Sequence, residues 1–228
     1  MNNNDLNHFI EQLHTKGYTT FLNPLEYKKL SEKIQRKKYH VYYMYKDCTK
    51  VILYTQNIPH IVLCKITSKI KLTHPAILKE MFNLGIKEEM YGDIIIGDNN
   101  ESYIYLLPQI KEYFIYNFKS DITDLLIEEI PVETLANYKI KFQEINISVT
   151  SLRIDNVISS LISQSRKDVL TKFKDKEVIL NYEVVTKYIV LLKEGDVFSI
   201  RKYGKYYFAG VIRQNKKGKL LLKLMKYI

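Results

Sequence analysis

Residues 164–181, QSRKDVLTKFKDKEVILN, put Ser165 where a helix N-cap would stand and Arg166 and Lys167 in the turn that follows. A serine hydroxyl at that point accepts a hydrogen bond from a first-turn backbone N–H. Two cations beside the positive end of a helix dipole are unfavourable for the helix itself. A bound anion reverses that sign, because a phosphate collects the side-chain charge together with N–H groups that the helix leaves without partners. Phosphate binding is therefore the chemistry that this pattern suits. Further candidates are Arg153, at the start of an earlier apolar-periodic stretch, and Lys174, seven residues beyond Lys167 and on the same flank. Asn181 closes a short apolar run, and Arg201, Lys202 and Lys205 bracket a Tyr-Gly turn.

The distribution of charge supports this choice. Of a formal net charge of +10, the whole excess falls in residues 147–228, which hold 17 Lys and Arg against 7 Asp and Glu; the other 146 residues carry 18 of each sign. All five prolines and all five histidines also lie outside that last third. A basic module joined to a neutral body is expected, and polyanions are the natural partner of such a module.

The elements that must hold these residues follow from periodicity. SLRIDNVISSLI (151–162) carries Ile154, Val157, Ile158 and Leu161 on one helical face, and Val169, Leu170 and Phe173 do the same for the helix after Ser165. EVILN is a strand, and GDVFSIRKYGKYYFAGVIRQNKKGKLLLKLM predicts three more, with turns at Tyr203-Gly204 and Lys216-Lys217-Gly218. Upstream, residues 5–14 and 24–38 read as helices and 40–55 as two strands. Residues 60–130 read as β-α-β-β-α-β, the split βαβ pattern of ferredoxin-like domains, shared with RNA-recognition folds. An RNA-recognition sheet would carry an aromatic, glycine-containing motif on its third strand. SYIYLL offers Tyr103 and Tyr105 without it, so packing is the reading for these two rings. The expected fold is α+β: an N-terminal α/β region (1–58), a ferredoxin-like, RRM-like middle domain (59–146), and a basic domain of two helices packed on a small antiparallel sheet (147–228).

SLRID, SQSRKDV, EVILN and KEGDVFSIRKYG together resemble the S-four domain, an RNA-binding module named after a protein of the small ribosomal subunit. Arg153 and Asp155 match its Arg-Leu-Asp element, Ser165 and Arg166 its Ser-Arg pair, Val178 and Asn181 its Val-x-Val-Asn strand, and Gly195 and Asp196 its Gly-Asp. Lys176 departs from the family glycine and Val169 from the common alanine. HPAILKEMFNLGIKEEMYGDIII is in turn similar to the YlmH family of bacterial S-four proteins, through His74, Leu84-Gly85-Ile86 and Gly92-Asp93-Ile94. The resemblance implies a ribosome-associated RNA-binding protein that contacts structured ribosomal RNA and/or tRNA. It also implies the large ribosomal subunit as partner, quality control of stalled large subunits as the setting, and a link to cell-division gene neighbourhoods.

Other classes find less support. No Walker-type phosphate loop, Rossmann fingerprint, HExxH or zinc-type cysteine spacing occurs, so binding without catalysis is expected, with no cofactor and no metal. His74 reads as a helix-start cap or packing residue. No run of about 18 apolar residues is present, no basic-then-apolar leader opens the chain, and the two cysteines read as reduced and buried. A cytoplasmic, membrane-independent monomer is expected. The alternatives are an RNA-modifying enzyme, which a missing modified nucleotide in a deletion strain would reveal, and a division-linked scaffold, whose protein partner would survive nuclease treatment.

Overall fold

The computed structural model describes residues 3–35, 38–118 and 124–228. The backbone forms two compact units, residues 1–139 and 140–228. The boundary expected at 58/59 lies inside the first unit, where the N-terminal elements form a sheet of their own and are tied to the middle strands by the Phe21 N–H, which donates to the Glu89 carbonyl, and by the Asp93 carboxylate. The boundary expected at 146/147 falls within a strand that belongs to the second unit.

In the first unit, α1 (Asn3–Thr15) and α2 (Pro24–Lys33) pack with β1 (His40–Tyr42) and β2 (Ile52–Tyr54) around Phe9, Leu13, Leu22, Leu30, Val51 and Leu53. Asn23 caps α2 by accepting from the Leu25 and Glu26 N–H groups, while Glu26 accepts from the Asn23 N–H, a reciprocal capping box. The helix stops at Lys33 rather than 38, since Ile34 is extended; residues 36–37 of that expected helix lie outside the described residues.

β3 (Val62–Thr67), α3 (His74–Asn83), β4 (Tyr91–Ile96), β5 (Glu101–Leu106), α4 (Lys111–Asn117) and β6 (Leu126–Ile130) follow in the expected order. The antiparallel sheet β4-β5-β3-β6 is the split βαβ arrangement. Thr73 caps α3, and Gly85, at φ +68°, closes it in the left-handed conformation that favours glycine. Val62, Cys64, Ile66, Ile104 and Leu106 face Ile77, Met81 and Phe114 of the helices.

The opposite face of this sheet is where an RNA-recognition fold would stack bases, and its centre is covered. Tyr105 is fully buried, with the Tyr45 ring stacked 6.2 Å away and Tyr138 edge-on to Tyr45 at 5.3 Å. A Cβ on Gly92 would stand 2.9 Å from both Phe21 Cε1 and Tyr105 Cβ, so glycine is what allows Phe21 to close against the strand. Asp93 fastens the cover: it accepts from the Tyr45 hydroxyl at 2.6 Å and the backbone N–H groups of Thr49 and Lys50 at 2.5 and 3.2 Å. Burial, and then the Asp93 charge, hold the Tyr45 phenol far above its ordinary range. Burial lowers the pKa of Lys50, whose ammonium donates to the carbonyls of Glu88 and Tyr91 at 2.7 and 2.8 Å. Tyr103, toward the open half of the sheet, donates to Glu101, which also pairs with Lys65. Packing accounts for Tyr105, as expected. Burial also pushes the thiols of Cys48 and Cys64 up to about 11 and about 12, so both are poor nucleophiles near neutral pH.

The second unit opens with β7 (Phe142–Val149), which the element reading lacks although Ile145, Ile147 and Val149 alternate into the core. After it come α5 (Ile154–Leu161), α6 (Arg166–Lys174), β8 (Val178–Leu180), β9 (Glu183–Val184), β10 (Val197–Ile200), β11 (Gly204–Gln214) and β12 (Leu220–Tyr227). The expected small sheet has six strands, ordered β7-β12-β11-β10-β8-β9, because β7 pairs with β12 along its whole length. Ile154, Val157 and Ile158 of α5 and Val169 and Phe173 of α6 bury against Phe198, Phe208, Leu222 and Leu224. Val169 thus fills core space between α6 and the sheet.

Lys176 adopts φ +58° just beyond α6. The Glu177 N–H reaches back to the Lys172 carbonyl at 2.9 Å, so the tight turn forms with the wrong residue for it. The left-handed conformation costs a non-glycine residue roughly 1 kcal/mol, and glycine's larger unfolded-state entropy offsets part of any gain. Lys176→Gly is expected to stabilise the unit by up to about 1 kcal/mol, read as a raised denaturant midpoint at unchanged slope.

Candidate nucleic-acid interface

Arg153 stands at the N-cap of α5, and Arg166 is the first residue of α6. Eight helical residues, a short loop and the Ser165 cap bring the two starts together on one carboxylate, that of Asp155. Arg153 donates from Nε to Asp155 Oδ1 at 3.1 Å and from Nη2 to Oδ2 at 3.0 Å, a two-pronged pair. Arg166 reaches the same Oδ2 through Nε at 2.9 Å and Nη2 at 2.9 Å. Asp155 is fully buried, whereas the Arg166 side chain is 59% exposed and that of Arg153 32%. One carboxylate orients two guanidiniums and neutralises one of them. What remains is a positive charge with unused N–H donors on a rigid support.

These guanidiniums line a cleft of about 130 Å³ with Thr150, Ser151, Asn156 and Ser159. The Asn156 amide donates to the Thr150 hydroxyl at 2.8 Å and the Ser151 hydroxyl at 3.1 Å. Ser159 donates to the Gln164 carbonyl at 2.6 Å, which fixes the loop before α6.

Ser165 is the cap expected of it. It accepts from the Asp168 N–H at 3.3 Å and donates to the Asp168 carboxylate at 2.6 Å. Asp168 corrects the view of this helix as cationic at its start: it places a negative charge in the first turn, and Lys172 and Lys174 fall in the last turn, where the dipole favours them. Lys167 is exposed beside Arg166, and Lys174 is exposed at the far end of the helix.

The hairpin residues divide. Arg201 and Lys202 are exposed on the β10–β11 turn. That turn is tied to the start of α6, since Gln164 donates to the Tyr203 hydroxyl at 2.8 Å and Lys172 lies 5.0 Å from the Tyr203 ring centre. Tyr203 therefore packs. Lys205 sits between the rings of Tyr182 and Tyr227, 4.9 and 4.7 Å from their centres, and donates to the Tyr182 hydroxyl at 3.0 Å. Asn181, expected among the ligand contacts, uses both polar side-chain atoms within the fold: its amide donates to Asp196 at 2.8 Å and its oxygen accepts from the Val197 N–H at 2.9 Å. At φ +47°, it braces the turn from β8 into β9 against β10. The cleft thus gathers Arg153 and Arg166, Ser165 and Lys167 flank Arg166 in the chain without lining the cleft, and Asn181 and Lys205 serve other contacts.

Residues 60–155 match the family described as "Putative RNA-binding domain in YlmH". Over 160 residues the chain is 27% identical to the "Ribosome-associated protein quality control protein P2" of Bacillus subtilis, a match covering 66% of this chain and 58% of that protein. Over residues 60–155 the chain is similar to the YlmH family. It spans somewhat over half the length of this curated relative. A solved structure, "Cell division protein ylmH from Streptococcus pneumoniae", aligns at a TM-score of 0.46 and 22% identity over 58% of this chain and 91% of its own. The matched YlmH segment runs from the start of the middle sheet region through Arg153 and Asp155, and so ends inside the cleft.

Sequence reasoning overlooked Thr150, Ser151 and Ser159 of the cleft, whose signal was only that they are small and polar beside helix starts. It also overlooked Tyr188, whose ring centre lies 5.9 Å from the Arg153 guanidinium carbon. Among the described residues no group of three or more His, Cys, Asp or Glu side chains is arranged to hold a metal ion, and no helix is long and apolar enough to cross a membrane.

Proposed function

We propose that the second unit is an S-four-type RNA-binding module, and that the protein binds structured RNA on the ribosome without chemical turnover. The observation that carries this reading is the pair of guanidiniums held by the buried Asp155 at the start of two helices, in the part of the chain that holds the entire charge excess. Arg166 is the principal phosphate ligand, with Arg153 and Lys167 beside it. Ser165 sets the helix start that presents them. Lys174, Arg201 and Lys202 add attraction along the flank, the weaker, sequence-independent kind that phosphates receive from exposed cations. Asn181 and Lys205 act by shaping the sheet edge.

The partners are ribosomal RNA and/or tRNA on the large subunit, and the setting is quality control of stalled subunits. The names of the matched domain and of the Bacillus subtilis relative support the coarser part of this reading, RNA binding and ribosome-associated quality control. The middle sheet contributes positioning, because the stacking face that an RNA-recognition fold would use is occupied at its centre by Tyr45 and Phe21.

Titration of a ribosomal RNA stem–loop at several salt concentrations tests the assignment. Arg166→Ala should weaken binding by about 1–3 kcal/mol and reduce the slope of log K against log salt by about 1. An unchanged affinity and slope would remove Arg166 from the interface.

A further inference from the structure

We infer that the cleft takes an RNA nucleotide whose base is unpaired, with its phosphate on Arg153 and Arg166 and its base against Tyr188; this rests on the RNA-binding reading above. After a turn at Tyr188 and Ile189, the chain from Val190 to Leu192 runs beside the start of α5. The Ile154 N–H donates to the Val190 carbonyl at 2.9 Å, the Leu192 N–H donates to the Leu152 carbonyl at 2.9 Å, and Arg153 and Leu191 form a bridge. Along this stretch Val190 and Leu192 turn into the core, which leaves Tyr188, Ile189 and Leu191 at 41, 60 and 59% exposure. Three large side chains within four residues are thus open to solvent next to the cationic cleft. The Tyr188 ring lies close enough to Arg153 for a cation–π contact.

A uniform duplex does not account for that ledge. Paired RNA presents phosphates and riboses outward and keeps its bases stacked inside, so it would satisfy the guanidiniums and leave Tyr188, Ile189 and Leu191 uncovered. An unpaired nucleotide in a loop or bulge supplies both parts, a phosphate and, one sugar away, a base with an apolar face. The cleft itself, about 130 Å³, is well below the roughly 300 Å³ at which pockets enclose a whole small molecule. The phosphate fits inside and the base must lie outside, where the ring stands. Aromatic side chains accept any base in this way, so the site selects for unpaired structure more than for sequence. The positive charge beside the ledge favours this occupant over an apolar protein segment.

The test compares two RNA hairpins of equal length and charge, each closed by a non-nucleotide linker in place of a loop, one fully paired in its stem and one with a single-nucleotide bulge, by fluorescence anisotropy. The wild-type chain should bind the bulged hairpin about ten-fold more tightly. Tyr188→Ala should erase that preference while leaving the affinity for the paired hairpin and its salt dependence as in the wild type. Tyr188→Phe should retain the preference, and Arg166→Ala should weaken both hairpins alike. Equal wild-type affinity for the two, or a preference that survives Tyr188→Ala, overturns the inference and leaves the ledge to a protein partner, with the RNA-binding reading intact. Salt-independent or absent binding of both hairpins overturns the RNA-binding reading as well.

Discussion

Asp155→Ala is expected to destabilise the second unit by about 3–5 kcal/mol, the range for removing one partner of a buried ion pair. The side chain has no solvent exposure and accepts from both guanidiniums. Without it, Arg166 can swing into water, being more than half exposed, but Arg153 is held at the N-cap of α5 with two-thirds of its side chain covered. The cost is therefore mostly that of an uncompensated Arg153, with repulsion from Arg166 added. Hydrogen exchange of the α5 and β12 amides reports the loss for this unit alone, which matters because a chain of two units need not unfold in one step. Replacing the pair by apolar groups separates stability from function: Arg153→Met with Asp155→Leu should recover most of the stability, yet RNA affinity should stay low, since Arg166 then has nothing to orient it. Protection unchanged in Asp155→Ala would mean that the carboxylate does not organise the site.

The second large effect lies in the first unit. Asp93→Ala removes the acceptor of the Tyr45 hydroxyl and of two backbone N–H groups. Each buried donor left without a partner costs about 1–3 kcal/mol, so a total of about 3 kcal/mol or more is expected. Tyr45, only 4% exposed, is the residue that covers Tyr105, and loss of its anchor should loosen the cover before the sheet itself melts. Hydrogen exchange would then accelerate first in the stretch around Thr49 and Lys50 and only later in β3 and β5. Asp93→Asn keeps one carbonyl oxygen and should lose less. Uniform acceleration across the sheet would contradict the idea of a separable cover.

The local signals were legible in the amino-acid string. Apolar spacing placed α5 and α6, Ser165 announced its cap, Pro75 and Gly85 bracketed α3, and the strand–helix order from 60 to 130 named its topology. Each depends on residues within a turn or two of one another, and those distances are set by backbone geometry whatever the rest of the chain does. The segregation of charge was equally plain, being a count. Asp168 was visible too, three residues after the cap, and would have tempered the view of an all-cationic helix start.

Tertiary closure decided who meets whom. Asp155 and Arg166 are eleven residues apart, and their contact exists because α5 and α6 fold back against a shared core. Asn181 carried a family match but became a brace, because β10 arrives beside it with Asp196 and Val197. Tyr105 was read as a packing residue, but the rings that cover it, Tyr45 and Phe21, come from sixty and more residues earlier in the chain. Composition and periodicity determine which elements form and where charge accumulates. Which charges are neutralised, which rings are buried and which polar atoms stay available depend on long-range packing, where a carboxylate's partner is chosen by geometry that no short window of residues contains.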